Sequence, residues 1–316
     1  IDYLRLSVTD LCNYRCQYCM PADGVEKGPH GAVLSVEEYG EIARAAVKLG
    51  IRKIRLTGGE PLVRRGILDV CRTLRAIPEL KELCLTTNGS LLPKLAKPLQ
   101  EAGVDRLNIS LDTLRTERFR EITRRGNLED AFAGIRAAED AGFQNLKLDT
   151  VLMGGVNDDE IAEIAALAKD GAFDVRFIEL MPIGFGTTMK RVSTDDILTV
   201  LRERWPDLAE TDEKRGNGPA HYYKSGLLKG RIGFIDAVSH KFCSECNRVR
   251  LTSTGMLKPC LCYSDTTDLR ALIRFECTDA ELKSALESAV YLKPRAHCFD
   301  DGAQITEQHI MSQIGG

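Results

Sequence analysis

The sequence predicts an α/β fold: a partial (βα)6-type barrel of parallel strands, followed by a small cysteine-bearing cap region. Three observations carry this. Six apolar, β-rich stretches alternate with helical patterns, every second side chain in most of those stretches is polar or cationic, and six of the eleven cysteines fall into two tight groups far apart in the chain.

The strands come in order as YLRLSV from Tyr3, KIRLTG from Lys53, ELCLTT from Glu82, RLNISL from Arg106, LKLDTVLM from Leu146 and DVRFIEL from Asp174. Between them the helices have readable ends. Ser35 with Glu38 predicts a capping box, and Gly50 ends that helix. Asn127 with Asp130 before Gly142, and Asn157 with Glu160 before Gly171, predict the same arrangement twice more. Strands separated by helices imply crossovers and a mostly parallel sheet.

The strand faces select the architecture. Lys53, Arg55 and Thr57 share one face and Ile54 and Leu56 the other, because side chains alternate with period two. Arg5, Ser7 and Thr9 oppose Leu4, Leu6 and Val8 in the same way. Asn108 and Ser110 oppose Leu107 and Ile109, Lys147 and Asp149 oppose Leu146 and Leu148, and Arg176 opposes Val175 and Phe177. Parallel strands covered on both faces are nearly all apolar, and a closed eight-stranded barrel fills its interior with branched residues. These half-polar strands predict an open barrel with a polar lumen, although an antiparallel sheet with one wet face would alternate likewise. Arg5, Lys53, Arg55, Lys147 and Arg176 converge in that lumen. Unpaired buried cations are costly, so they predict an anionic ligand of several charges, such as a polyphosphate.

Composition excludes other classes. With 316 residues, 43% hydrophobic content and a net charge of −3, the chain is an ordinary globular protein without a basic nucleic-acid footprint. No apolar run reaches the roughly 18 residues of a membrane span, and no signal peptide opens the chain. A cytoplasmic protein with neither a membrane nor a nucleic-acid partner is expected. Eleven cysteines in a reducing compartment point to metal or redox chemistry rather than a disulfide framework.

The first cysteine group lies in DLCNYRCQYC, where Cys12, Cys16 and Cys19 are spaced C-x-x-x-C-x-x-C with no fourth nearby. Cys243, Cys246 and Cys260 form the second. Cys71, Cys84, Cys277 and Cys298 stand singly and read as small buried hydrophobes. Spacing alone leaves the first triad open to zinc with a remote ligand, and leaves Cys262 either a fourth thiolate beside Cys260 or no ligand at all. Polar groups also collect where strands end, at Thr57-Gly58-Gly59-Glu60-Pro61, Thr86-Thr87-Asn88-Gly89, Ser110-Leu111-Asp112 and Glu179-Leu180-Met181-Pro182. Ligands bind at those ends in parallel sheets.

The first triad directly after the first strand, with GGEP ending the second, resembles the radical S-adenosylmethionine (SAM) enzymes. That resemblance implies a 4Fe-4S cluster held by three thiolates, its fourth iron open to the amino and carboxylate groups of SAM. Gly58, Gly59 and Glu60 would meet the methionyl amino end, and Tyr18, Thr86, Ser110 and Met181 would complete the pocket. LRLSVTDLCNYRCQYCMP, KIRLTGGEPLVRR, FCSECNRVRLTSTGMLKPC and the final IGG are together similar to the GTP 3′,8-cyclase family, which opens molybdenum cofactor biosynthesis. The similarity runs from residue 3 to the last. Leu11 and Gly66 depart from the basic and acidic residues common in that family, and the start so close to the first strand is expected to leave out any longer amino-terminal segment.

This second resemblance implies a radical SAM lyase with two 4Fe-4S clusters, SAM as cofactor and GTP as substrate. A 5′-deoxyadenosyl radical would abstract the 3′ hydrogen, the C3′ radical would attack guanine C8, and reduction and protonation would follow. Arg5, Lys53, Arg55, Lys147 and Arg176 would hold GTP, with Arg248 and Arg250. The second triad would hold a cluster whose open iron contacts guanine. An external one-electron reductant, a downstream cyclic pyranopterin monophosphate synthase and a homodimer complete the implied partners. A radical SAM peptide- or protein-modifying enzyme and a non-enzymatic iron-sulfur carrier are the competing functions. Residues 1–210 are expected to form the barrel, and 211–316 the auxiliary-cluster cap and tail, with HYYKS and RIGFID as short strands. A terminal Gly315-Gly316 is by default frayed. The resemblance instead implies a tail that enters the cavity and acts catalytically, by positioning an arginine or the radical chemistry.

Overall fold

A computed structural model describes residues 1–26, 28–171, 173–213, 216–264 and 266–315, with only the backbone of His30. The six strands expected from the sequence all form: β1 (Tyr3–Ser7), β2 (Lys53–Thr57), β3 (Glu82–Thr87), β4 (Arg106–Ser110), β5 (Lys147–Leu152) and β6 (Asp174–Glu179). They pair side by side and parallel. The crossovers contain α1 (Val36–Lys48), α2 (Ile67–Arg75), α3 (Leu92–Glu101), α4 (Thr116–Thr123), α5 (Leu128–Asp140), α6 (Ile161–Ala165) and α7 (Leu167–Asp170).

After α8 (Thr194–Arg204) the chain returns to the same sheet with β7 (Ala209–Thr211), β8 (His221–Lys224), β9 (Ile232–Ile235), β10 (Arg248–Leu251), β11 (Met256–Lys258) and β12 (Thr267–Asp268). The order is β12-β11-β10-β1-β2-β3-β4-β5-β6-β9-β8-β7. β10 lies parallel to β1 and β9 parallel to β6, so two short late strands widen the parallel sheet on both sides. Neither was legible as part of the barrel. Each has four residues and neither directly follows an α-helix, so the strand-helix rhythm does not continue to it. The remaining helices are α9 (Leu269–Arg274), α10 (Asp279–Tyr291) and α11 (Met311–Ile314).

One face of the sheet is apolar. Leu4, Leu6, Ile54, Leu56, Leu83, Leu85, Leu107, Ile109, Leu148, Val175 and Phe177 are buried in one cluster with Ile42, Val70, Leu74, Leu99, Ile135 and Ile164 of the helices. Burying each such side chain contributes about 1.5–3 kcal/mol before entropy is counted. No helix of the described residues is long and apolar enough to cross a membrane.

The Ser35–Glu38 capping box is present. The other two expected boxes are not. Asn127 is the N-cap of α5 but makes no capping bond. Asn157 turns inward, donating to the Asp112 and Val151 carbonyls and accepting from the Met153 N–H. Glu160 accepts from Thr113 Oγ1 and the Leu114 N–H. Buried backbone groups at the ends of β4 and β5 need partners, and that need outweighs the cap.

Candidate active site

The polar strand faces line one cavity, joined by Met311 of α11. Register explains its charge. Arg250 of β10, Arg5 of β1 and Arg55 of β2 are direct neighbours across three adjacent strands, and like charges placed opposite each other repel. Burial, and the cations Arg55 and Arg248, lower the Arg5 pKa to about 10; burial with Arg5 and Arg248 lowers that of Arg250 to about 9. Lys147 is pushed down to about 7 by burial and by Arg176. These three side chains are poised to gain from an anion.

Two of the other expected cations already have carboxylates. Arg176 is held bidentate by Asp149, at 2.7 and 2.6 Å, and Asn108 donates to the same carboxylate. Lys53 lies 2.5 Å from Glu82, which also pairs with Arg106. The premise that the five cations lack protein partners is therefore corrected: these two have carboxylates, and Lys147 donates to Tyr222 Oη at 3.0 Å. Arg55 donates to Tyr3 Oη at 2.7 Å and to Thr86 Oγ1 at 3.3 Å. Tyr3 sits one pleat before Arg5 on the same face, a signal the sequence offered through its period of two.

At the carboxyl ends of the strands, Cys12, Cys16 and Cys19 line the cavity. Their loop is docked by backbone bonds from Arg15 and Gln17 to the carbonyls of Thr123 and Ile122, at the end of α4. The glycines of GGEP press against it from β2. A Cβ on Gly58 would come within 2.5 Å of the Thr9 carbonyl oxygen, and one on Gly59 within 2.5 Å of that of Leu11. The Gly59 and Glu60 N–H groups donate to those same carbonyls. Glu60 is buried, which raises its pKa to about 7, and its carboxylate accepts from Thr87 Oγ1 and from the N–H groups of Asn88 and Leu62. It ties the turn after β2 to the turn after β3 and has about one acceptor site left. Tyr18 Oη donates to Asp112 at 2.9 Å. Thr86, Ser110 and Met181 also line the cavity. Asp112 and Asn88, which line the cavity as well, were not singled out from sequence, though both lie in the polar strand ends noted there.

Cys243, Cys246 and Cys260 line an adjoining cavity that shares Met181, Ile235, Arg248, Arg250 and Leu261 with the first. Cys262 does not line it. Its sulfur is buried against Cys298 instead.

The segment before the chain end threads between the two triads. Ser312 gives Cys19 a backbone hydrogen bond, and the Gly315 carbonyl accepts from Arg250 Nη1 at 2.9 Å. Gly315 has φ +80°, and a Cβ there would sit 2.7 Å from Thr57 Oγ1 and 2.9 Å from Ser7 Cβ. Gly316 lies outside the described residues.

The donor sets fit iron-sulfur clusters. Burial first, and then neighbouring negative groups, hold the Cys12, Cys16 and Cys19 thiols above their usual range, to about 11 for Cys12 and about 12 for Cys19. Thiolates here call for a bound cation. Burial also works against the Cys246 thiolate, but Arg248 and Lys293 outweigh it and lower its pKa. Sulfurs of both triads already accept N–H bonds: Cys12 from Tyr14, Cys243 from His297 and Cys246 from the Arg248 guanidinium. Such bonds tune cluster sulfurs. Among the described residues no three His, Cys, Asp or Glu side chains gather as a site for a single ion.

A parallel partial barrel with a three-cysteine loop after β1 and a glycine turn after β2 defines a radical SAM enzyme, and the radical SAM superfamily model matches residues 6–168. A second model, molybdenum cofactor synthesis C, matches residues 173–299. The chain belongs to the GTP 3′,8-cyclase family. It is 46% identical to the GTP 3′,8-cyclase of Pelotomaculum thermopropionicum over 100% of this chain and 98% of that one. With that of Pseudomonas syringae pv. syringae it shares 48% identity over 100% and 96%. Among solved structures, Streptococcus suis SuiB bound to the precursor peptide SuiA superposes with TM-score 0.61 at 13% identity, over 99% of this chain and 76% of SuiB, which is a likeness of fold. SAM and iron-sulfur clusters are the cofactors of this family.

Proposed function

We propose that the protein converts GTP to (8S)-3′,8-cyclo-7,8-dihydroguanosine 5′-triphosphate, the first step of molybdenum cofactor biosynthesis. The observation that carries this reading is the Arg250-Arg5-Arg55 row, set in one cavity between two cysteine triads. When bound, the cofactors supply a 5′-deoxyadenosyl radical from SAM at the first cluster and an open iron for guanine at the second. Cys12, Cys16 and Cys19 hold the first cluster; Cys243, Cys246 and Cys260 hold the second. Gly58 and Gly59 keep the turn thin enough for the cysteine loop, while Tyr18, Thr86, Ser110 and Met181 shape the SAM pocket. Arg5, Lys53, Arg55, Lys147 and Arg176 hold the triphosphate, with Arg248 and Arg250 toward the second triad. Gly315 fixes the Arg250 guanidinium.

Residues 1–210 serve as the radical SAM part and 211–316 as the auxiliary part. The reading brings with it a cytoplasmic homodimer, an external one-electron donor and a cyclic pyranopterin monophosphate synthase that takes the product. Anaerobic incubation of the cluster-loaded protein with SAM, reductant and GTP tests it. Cyclised nucleotide formed along with 5′-deoxyadenosine is expected, whereas SAM cleavage that leaves all GTP intact would overturn it.

Three expectations concern the lumen and tail. Each charge-assisted contact to a phosphate oxygen contributes about 1.5–3 kcal/mol, so Arg55→Ala weakens GTP binding roughly tenfold or more. Calorimetry with GTP and GMP checks this, and the native protein binds GMP more weakly.

Lys147 gives the site a pH dependence. Its pKa of about 7 leaves it charged below and neutral above that value in the free protein. A bound triphosphate favours the charged form, so affinity is greatest below pH 7 and falls as pH rises toward the raised pKa of the complex. Lys147→Met removes that fall. Phosphate ionisation of GTP is common to both proteins, so the difference between their binding curves from pH 6 to 9 isolates the lysine.

Gly315→Val places a side chain against Thr57 and Ser7 at positive φ. Displacing the carbonyl from Arg250 by about 1 Å lowers cyclisation by about a hundredfold. Iron content and SAM cleavage are retained, and the ratio of 5′-deoxyadenosine to product reports the uncoupling.

A further inference from the structure

Outside both triads, two more cysteines meet. Cys262 Sγ lies 2.8 Å from Cys298 Sγ, and the Cys298 N–H donates to Cys262 Sγ at 3.3 Å. Both are free thiols. Cys262 is fully buried and Cys298 is 8% exposed, in an apolar cluster with Ile183, Ala237, Leu261 and Phe299. Neither lines the cavity of the second triad, yet each is a chain neighbour of residues that do, Leu261 for Cys262 and His297 and Phe299 for Cys298. Cys262 follows Cys260 by two positions, and Cys298 follows His297, whose N–H donates to Cys243 Sγ. Two thiols in contact need only a small approach to reach the S–S bond length of about 2.05 Å.

We propose that Cys262 and Cys298 form a reversible dithiol/disulfide couple whose co-substrate is a low-molecular-weight disulfide such as glutathione disulfide. The Cys298 thiolate, on the less deeply buried residue of the two, attacks the small disulfide, breaks its S–S bond and releases one small thiol. The Cys262 thiolate then attacks the Cys298 sulfur of the mixed disulfide and releases the second. The two protein thiols give up two protons and two electrons, and the small disulfide leaves as two thiols. The new bond spans 36 positions and joins the Cys260 loop to the segment whose Lys293, Pro294, Ala296, His297 and Phe299 wall the second cavity. Oxidation thus fixes that wall, and a thiol reductant frees it. This site is independent of which nucleotide the protein uses.

The test is cysteine mapping of the cluster-loaded protein, kept anaerobic, before and after glutathione disulfide. Untreated protein is expected to yield both cysteines alkylated after denaturation. Treated protein yields a Cys262–Cys298 cross-linked peptide lighter by two hydrogens, reversed by dithiothreitol, with iron content unchanged. Cys262→Ser stops at a single glutathione adduct on Cys298 and keeps its iron. If both thiols remain alkylatable after treatment, or if the cross-link joins a triad cysteine, the couple is refuted. Loss of iron from the second site in Cys262→Ser would also refute it, by making Cys262 a ligand.

Discussion

Cys16→Ala abolishes SAM cleavage and removes about half of the bound iron, leaving the second cluster in place. Cys16 is the middle thiol of a loop that carries no fourth cysteine, so there is no spare thiolate to take over its iron. The loop is held from outside the triad, by backbone bonds to the end of α4 and by the close approach of Gly58 and Gly59. The substitution therefore removes a ligand without unfolding its support. The second triad draws its walls from Phe242, Pro259, Leu261 and Phe299, whereas this loop's docking bonds go to Thr123 and Ile122. Iron analysis and quantified 5′-deoxyadenosine check the outcome. Continued 5′-deoxyadenosine formation would remove the first triad from the role of SAM-cluster ligand.

Replacing Cys243, Cys246 or Cys260 has the complementary effect: the first cluster and SAM cleavage survive, and cyclised product disappears. All three residues line a cavity that adjoins the lumen and shares Arg248, Arg250 and Leu261 with it. Their iron would stand where the far end of a lumen-bound nucleotide arrives. Losing it misplaces the guanine, and misplacement of a reacting group near 1 Å already costs about a hundredfold. Cys262→Ser is the control. Its sulfur points away from the cavity toward Cys298, so the second cluster and cyclisation persist. Cyclisation by a Cys246→Ser protein lacking the second cluster would contradict this account.

The strands were legible because their chemistry is local. Alternation in KIRLT and KLDTVL fixes which side chains face inward whatever the rest of the chain does. The Arg250-Arg5-Arg55 row was only half legible. Sequence gives the face of each arginine, but the row exists because β10, from near residue 250, pairs in register with β1. Nothing local records that pairing. Lys53 and Arg176 looked alike as inward cations, and their carboxylates come from neighbouring strands through register, Glu82 on β3 and Asp149 on β5. The same reason hid Cys298. Alone among mixed residues it reads as packing, and only the fold brings it to Cys262. Asn157 and Glu160 had the spacing of a cap but serve backbone groups more than forty positions away, at Asp112 and Leu114.

GTP carrying deuterium at C3′ provides the most direct test of the central claim. The two triads and the arginine row are proposed to place the 3′ carbon of GTP against the radical drawn from SAM. Incubated anaerobically with SAM and reductant, the cluster-loaded protein is predicted to move the label into 5′-deoxyadenosine while cyclised nucleotide accumulates. Unlabelled 5′-deoxyadenosine alongside GTP that keeps its deuterium would contradict the account.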